Sequence, residues 1–247
     1  MRTFALIGFP LSHSFSKKFF TEKFEIEGIK DCSYELFPIA EVNELAQLFD
    51  SNPFLSGLNV TIPHKVNIMP LLTELDEAAS SIGAVNCISM ATKEGKKVLK
   101  GYNTDAYGFS ESLKPLLQKH HQKALIFGDG GAAKAVKYVL EQLQMEYLVV
   151  VRNPAPNAIL YSEVNAEILA SHTLLINTTP LGMSPNLHAS PLIPYQFVTD
   201  KHLAYDLVYN PEETEFLSRV KANGGNTKNG FEMLQLQAER SWYIWNL

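Results

Sequence analysis

The chain has 247 residues, of which 46% are hydrophobic and 19% charged, with a formal net charge of −5, seven histidines and two cysteines. That length suits one large domain or two modest ones, each able to bury a core. The mild acidity argues against nonspecific nucleic-acid binding, because phosphate backbones reward a basic surface.

The chain opens with a strand over residues 3–7. It is short and apolar with no small-residue cleavage site after it, so it reads as a buried strand and not a signal peptide. A helix is expected over 16–27, a second strand over 58–62 ending at Pro63, and a helix around 65–72. Residues 85–91 and 96–102 form a hairpin with Glu94-Gly95 as its turn.

At Asn103-Thr104-Asp105 a helix starts and carries the chain into a second unit. There, 123–127 is a strand, 128–131 a glycine-rich turn, and 132–144 a helix with Val136, Val139, Leu140 and Leu143 on one stripe. Strands follow over 147–151, 173–176 and 203–208; the first is the most apolar run in the chain, yet far too short to span a bilayer. The next helix is expected to take Asn210 as N-cap, Pro211 as first residue and Glu212 and Glu213 in its first turn. Lys221 would lie near its end and Gly224 just beyond. Residues 230–245 form a last helix, expected to return to the first unit. Alternating apolar runs and amphipathic segments signal an α/β protein with parallel strands.

Gly128-Asp129-Gly130-Gly131-Ala132-Ala133 sits between a strand and a helix, the layout of a dinucleotide phosphate loop. Gly128 permits the tight turn, Gly130 lets the backbone approach a pyrophosphate, and Ala133 lets the helix pack close to the strand. The helix N-terminus adds free N–H groups. At the end of the following strand an NAD site would carry an acid; Arg152-Asn153 stands there instead, which suits the 2′-phosphate of NADP(H). The alternative is a solvated strand-end arginine. Asp129 either repels the pyrophosphate or caps the helix while pointing outward.

Reduction of a ketone needs a hydride donor, a proton source at the developing alkoxide and groups that fix the substrate's polar atoms. Polar strand ends in the first unit offer the last two: Ser12-His13-Ser14-Phe15-Ser16 at a helix start, Asn59-Val60-Thr61-Ile62-Pro63-His64-Lys65, Asn86, and Asn103-Thr104-Asp105. Strand alternation puts Asn59 and Thr61 on one face. Lys65 lies just beyond, with Asp105 as an opposing charge. Taken singly, a lysine is usually a solvated charge, and a serine or asparagine at a helix start is usually a cap.

Taken together these blocks resemble the shikimate dehydrogenase family. Gly8 through Ser16, Asn59-Val60-Thr61 with Pro63 and Lys65, Gly83-Ala84-Val85-Asn86, and Gly101 with Asn103-Thr104-Asp105 carry the likeness. It continues in order through Gly128-x-Gly130-Gly131-Ala132, Asn177-Thr178-Thr179 with Gly182-Met183, Tyr205-Asp206 with Tyr209, and Gly230, Met233-Leu234 and Gln237-Ala238. The resemblance implies an N-terminal α/β substrate domain, a Rossmann NADP-binding domain and a C-terminal helix packed back on the first domain. The expected boundaries are 1–104 with 230–247, and 105–229. It implies a cytoplasmic enzyme, monomer or homodimer, that reversibly reduces 3-dehydroshikimate to shikimate with NADPH on the route to aromatic amino acids.

By the same resemblance Lys65 and Asp105 are the proton-transfer pair, with the division of labour between them open. Ser14 and Ser16 would bind the substrate carboxylate beside Thr61, and Asn86 and Asp105 the ring hydroxyls alongside Lys65. Gln237 would reach the substrate from the returning helix, with Tyr209 closing the cleft and Asn59 supporting it. Gly128, Gly130, Gly131 and Ala132 would cradle the pyrophosphate and Arg152 the 2′-phosphate. Thr178, Gly230 and Met233 would lie near the ribose and nicotinamide.

Two departures stand out. The family's phosphate clamp reads Asn-Arg-Thr with a second arginine soon after, whereas this chain has Val151-Arg152-Asn153 followed by Pro154 and Pro156. Asp129 replaces a small neutral residue. The first motivates a rival, a quinate/shikimate dehydrogenase using NAD; a non-catalytic ligand-binding regulator is another, disfavoured by intact Lys65 and Asp105. The scattered histidines predict no metal site, and Cys32 and Cys87, far apart, are expected to be reduced and mostly buried.

Overall fold

The computed structural model describes residues 1–11 and 14–247, apart from the side chain of Lys96. The chain divides into two compact units, one made of Met1–Tyr107 with Gln237–Leu247 and the other of Gly108–Leu236. Both divisions fall inside helices, somewhat later in the chain than the boundaries expected at 104/105 and 229/230. A continuous helix at each place leaves no linker for the sequence to mark.

The first unit contains β1 (Arg2–Gly8), α1 (Phe15–Ile26), β2 (Cys32–Pro38), α2 (Leu45–Ser51), β3 (Leu55–Val60), α3 (His64–Asn67), β4 (Glu74–Leu75), α4 (Glu77–Ile82), β5 (Cys87–Lys93), β6 (Lys96–Tyr102) and the start of α5 (Thr104–Leu113). Its sheet runs β2-β1-β3-β5-β6-β4. β2, β1 and β3 are parallel, while β5 is antiparallel to both β3 and β6, so this sheet is mixed and not wholly parallel. The reason is the hairpin: a two-residue turn can join only antiparallel strands. Glu94 and Gly95 supply it with φ values of 52° and 76°, the paired left-handed residues of a type I′ turn.

Three expectations need correction here. β2 was not foreseen, because Cys32-Ser33-Tyr34-Glu35-Leu36-Phe37 lacks clean alternation; it pairs with β1 over its full length. The strand expected at 58–62 starts earlier and stops at Val60. The helix expected over 65–72 ends at Asn67, since Pro70 has no N–H to continue the α-helical bonding; a 3₁₀ turn over Met69–Leu71 follows.

The second unit carries the rest of α5, then β7 (Lys123–Phe127), α6 (Gly131–Gln142), β8 (Glu146–Val151), β9 (Ala158–Leu160), α7 (Ala166–Ser171), β10 (Leu174–Asn177), β11 (Leu203–Asp206), α8 (Glu215–Ala222), β12 (Asn226–Lys228) and the start of α9 (Phe231–Trp245). The sheet order is β12-β11-β10-β7-β8-β9 with every pair parallel. All of β10 and β11 is buried, as is β7 after Lys123, the pattern of strands covered on both faces. Chain order reverses between β7 and β10. In open parallel sheets that is where a crevice forms beyond the strand ends.

α8 begins later than expected. Its N-cap is Thr214, whose hydroxyl accepts from Leu217 N and donates to the buried carboxylate of Asp206 at 2.6 Å. That anchor fixes the cap downstream of Asn210 and leaves Pro211, Glu212 and Glu213 outside the helix. Residues 152–157 alone join the parallel strands β8 and β9, a crossover with no helix in it. Parallel neighbours ordinarily need a dozen or more residues.

The C-terminal turns of α9 belong to the first unit, where Trp245 stacks on Phe4 at 4.7 Å between ring centroids and donates to Ile88 O at 3.0 Å. A Cβ on Gly57 of β3 would lie 2.4 Å from the indole, so the bare backbone there is what seats the ring. Truncating so well buried a tryptophan costs about 3–5 kcal/mol.

Candidate functional site

In the first unit the parallel strands β1 and β3 end on one edge of the sheet, and the polar blocks follow those ends. Gly8 lets them meet: a Cβ there would lie 2.4 Å from Thr61 Cγ2 and 2.9 Å from Ile62 O. Thr61 N donates to Ile7 O at 2.9 Å, and Thr61 O accepts from His64 N, starting α3. Lys65 then lies on α3 and Asp105 in the first turn of α5. Their Nζ and Oδ2 atoms are 2.6 Å apart, with side chains 29% and 21% exposed. Val85 N donates to Lys65 O at 2.8 Å, and Asn103 Nδ2 to Ala84 O at 3.0 Å, so one segment ties both helix starts together. A half-buried ion pair that still reaches solvent can bind a polar oxygen and exchange a proton with it.

A second set of polar groups lies behind this pair. Ser16 hydrogen-bonds Tyr34, whose hydroxyl donates to Asn59 Oδ1 at 2.8 Å. Asn59 Nδ2 donates to Ser241 Oγ at 2.9 Å and to Asn86 O at 3.3 Å. Asn86 Oδ1 accepts from Thr104 N at 2.6 Å, and its Nδ2 donates one hydrogen to Thr104 Oγ1 at 3.0 Å. Gln237 Oε1 is 3.4 Å from that hydroxyl. Burial drives the Tyr34 hydroxyl far above its ordinary titration range. It therefore stays a donor.

Asn59, expected to support the cleft, turns its polar atoms inward. It is 6% exposed and both amide hydrogens are used inside, which makes it a support for Asn86 and α9. Ser14 behaves in the opposite way: its Oγ is buried with no hydrogen-bond partner, the lone such side-chain atom among the described residues. An orphaned hydroxyl is costly unless a ligand satisfies it. Ser12 and His13, grouped with it in the sequence, lie outside the described residues. His64 is a core residue, 2% exposed and bonded to Ile39 O.

In the second unit a groove of about 380 Å³ opens at the switch point, walled by Gly128, Gly130, Arg152, Tyr161, Thr178 and the segment up to Leu181. Gly128 is needed twice, for its φ of 97° and because a Cβ would lie 2.7 Å from Thr179 Cγ2. At Gly130 and Gly131 a Cβ would meet nothing within 4 Å, so these glycines leave open space in front of the α6 N-terminus. Gly130 is the N-cap and offers no side chain to the first-turn N–H groups. Ala133 is fully buried. Those N–H groups and that space fit a pyrophosphate.

Asp129 neither caps α6 nor stands alone. Lys137, two turns along the helix, pairs with it at 2.5 Å and compensates its charge. Arg152 is exposed at the end of β8, and Tyr161 beside it stacks on Phe127 at 6.0 Å. Ala132 and Gly131 are exposed next to the loop but do not wall the groove. Tyr209, Gly230 and Met233 also lie outside its walls: Gly230 packs where a Cβ would sit 2.1 Å from Leu207 O, Met233 is half-buried, and burial raises the Tyr209 hydroxyl.

Sequence reasoning missed Tyr34, Ser241 and Tyr161. Ser241 had a signal, one helical turn beyond Gln237 on the same face. Tyr34 and Tyr161 had none, since β2, which carries the first, and β9, which precedes the second, were not seen. Among the described residues no three His, Cys, Asp or Glu side chains are arranged to hold a metal, and Cys32 and Cys87 are unpaired, the first half-buried and the second buried.

Residues 6–88 match the shikimate dehydrogenase substrate binding domain. A shikimate dehydrogenase (NADP(+)) of Methanosphaera stadtmanae is 34% identical over 97% of this chain and 89% of its own length. One from Methanococcus maripaludis strain C6 is 36% identical over 97% and 90%. The crystal structure of shikimate 5-dehydrogenase from Thermus thermophilus in complex with NADP(H) and shikimate superposes with a TM-score of 0.84 at 32% identity, covering 99% of this chain and 93% of that one. With its glycine loop, its paired Lys65 and Asp105 and its near full-length likeness to these proteins, the chain belongs to the shikimate dehydrogenase family.

Proposed function

We propose that the protein is an NADP(H)-dependent shikimate dehydrogenase that interconverts 3-dehydroshikimate and shikimate, with the first unit taking the substrate and the second the dinucleotide. The observation that carries this reading is the 2.6 Å contact between Lys65 Nζ and Asp105 Oδ2, on the sheet edge that also bears the orphaned Ser14 hydroxyl. Ser14, Ser16 and Thr61 hold the substrate carboxylate. Asn86 and Gln237, both beside the Thr104 hydroxyl, hold a ring hydroxyl.

Gly128, Gly130, Gly131 and Ala132 cradle the pyrophosphate, Arg152 meets the 2′-phosphate, and Thr178, Gly230 and Met233 serve the nicotinamide half. Bound NADPH supplies the hydride. Lys65 keeps two N–H bonds beyond the one to Asp105, which suffices to hold the carbonyl oxygen and to protonate the alkoxide. Asp105 orients the ammonium and balances its charge. The unpaired thiols are in keeping with a cytoplasmic location.

A second reading, NAD-linked oxidation of quinate and shikimate, draws on one feature: the crossover over 152–157 has no helix and offers only Arg152 to a 2′-phosphate. Initial rates followed at the absorbance band of reduced nicotinamide separate the two. Shikimate with NADP gives the highest kcat/KM under the first reading; preference for quinate and NAD establishes the second.

A further inference from the structure

Asp206 closes β11 and is fully buried. Its Oδ1 accepts from Asn177 Nδ2 at 2.9 Å and Val208 N at 3.0 Å, and its Oδ2 accepts from Thr214 Oγ1 at 2.6 Å. All three donors are uncharged. A carboxylate can only accept, so Asn177, itself fully buried, must turn its NH₂ side toward Asp206. The other amide hydrogen goes to Leu181 O at 3.4 Å, so the oxygen end is left to Thr179. Asn177 Oδ1 accepts from Thr179 N at 3.1 Å and Thr179 Oγ1 at 2.6 Å, and the same hydroxyl accepts from Leu181 N at 3.3 Å.

The segment so ordered, residues 178–181, is one wall of the groove at the glycine loop. Thr178 Oγ1 bonds Phe127 O at 2.9 Å, and Thr179 Cγ2 fills the space a side chain on Gly128 would need. A reversed Asn177 amide would set N–H against N–H at Thr179 and release that wall. The Thr214 bond serves something else, the cap of α8.

We infer that Asp206, by dictating the orientation of the Asn177 amide, is the positioning residue that sets the 178–181 wall of the dinucleotide groove. The inference rests on the proposed use of that groove for NADP(H), and it assigns Asp206 two separable arms, one to the groove and one to α8.

The test is NADPH binding to the folded protein, titrated by nicotinamide fluorescence without shikimate. Asp206→Leu should weaken NADPH about tenfold, the worth of one or two buried hydrogen bonds. Asn177→Ala cuts the same arm and should give the same loss, which keeps the test decisive where Asp206→Leu does not fold. Asp206→Asn should bind within about twofold of wild type, because its oxygen still serves Asn177 and Val208 while its amide faces Thr214. Thr214→Val should lower the melting temperature and leave the Kd unchanged. Unaltered binding by Asn177→Ala, or an equal loss from Thr214→Val, overturns the inference. A wild type that binds NADPH but does not oxidise shikimate overturns the proposed function and leaves this inference standing.

Discussion

Lys137 reaches back along α6 to Asp129, and the 2.5 Å contact between them neutralises the one acid in the glycine loop. A carboxylate beside a pyrophosphate is repulsive, and the lysine cancels that repulsion. Lys137→Ala should raise the KM for NADP about fivefold, in line with about 1 kcal/mol for a partly exposed pair. Restoring a small neutral residue with Asp129→Gly in the same protein should reverse the change. Steady-state kinetics on the single and double variants decides; an additive loss in the double variant contradicts the pairing.

Arg152 stands at the end of β8 with no helix behind it, since residues 152–157 pass directly to β9. On the proposed assignment of Arg152 to the 2′-phosphate, one exposed cation carries the discrimination between NADP and NAD, and an exposed charge is screened by salt. The ratio of kcat/KM values for the two cofactors should fall steadily as ionic strength rises. Arg152→Ala should cut it about tenfold, mainly through the KM for NADP, as expected for one charged hydrogen-bonding group. A ratio indifferent to both changes excludes Arg152 from the 2′-phosphate.

Two of the three buried histidines of the second unit, His121 and His202, give it an acid-sensitive base. His121 Nδ1 accepts from Gln118 N at 3.0 Å and its Nε2 faces Lys201 O at 3.1 Å; His202 Nδ1 accepts from Thr199 N at 3.0 Å and its Nε2 faces Leu169 O at 3.0 Å. Each is satisfied as the neutral ring, and burial lowers both below the ordinary 6.5, with His120 a nearby like-charged neighbour. Because the folded-state values are depressed, the stability they contribute is present above 6.5 and lost as pH falls through the folded values.

Asp206 has the opposite sign: burial pushes it from 3.8 up to about 6, so its contribution is fully present below 3.8 and lost as pH rises through about 6. Melting temperatures measured from pH 8 downward should therefore drop once the pH passes about 6.5, and His121→Gln with His202→Gln should flatten that drop. Asp206→Asn removes the opposing contribution and should steepen it. A melting temperature that is level from pH 8 to pH 5 in wild type contradicts these assignments.

The four central strands of the second sheet were readable because they are apolar runs, and β7 matches its expected limits residue for residue. The hairpin was readable from Glu94-Gly95 alone. β2, β4, β9 and β12 were not, being short or without alternation, and held by their neighbours more than by their own pattern. At the site, the glycine loop, Arg152, Lys65 and Asp105 stand out in the sequence because each is a residue type whose chemistry is unusual at its position. The network from Ser16 through Tyr34 and Asn59 to Ser241 was invisible, since it joins four distant segments through ordinary side chains whose meaning appears only on contact. The start of α8 was misread for a related reason. Asn210-Pro211 is a sound local helix signal, and the buried carboxylate of Asp206, a tertiary feature, overrode it.

The most direct test of the account is turnover of shikimate and NADP by Lys65→Ala, with NADPH binding measured on the same protein. Loss of about a hundredfold or more in kcat with unchanged NADPH affinity is the expected result for a removed proton donor. Turnover within a few-fold of wild type would contradict the role given to the pair that Lys65 forms with Asp105.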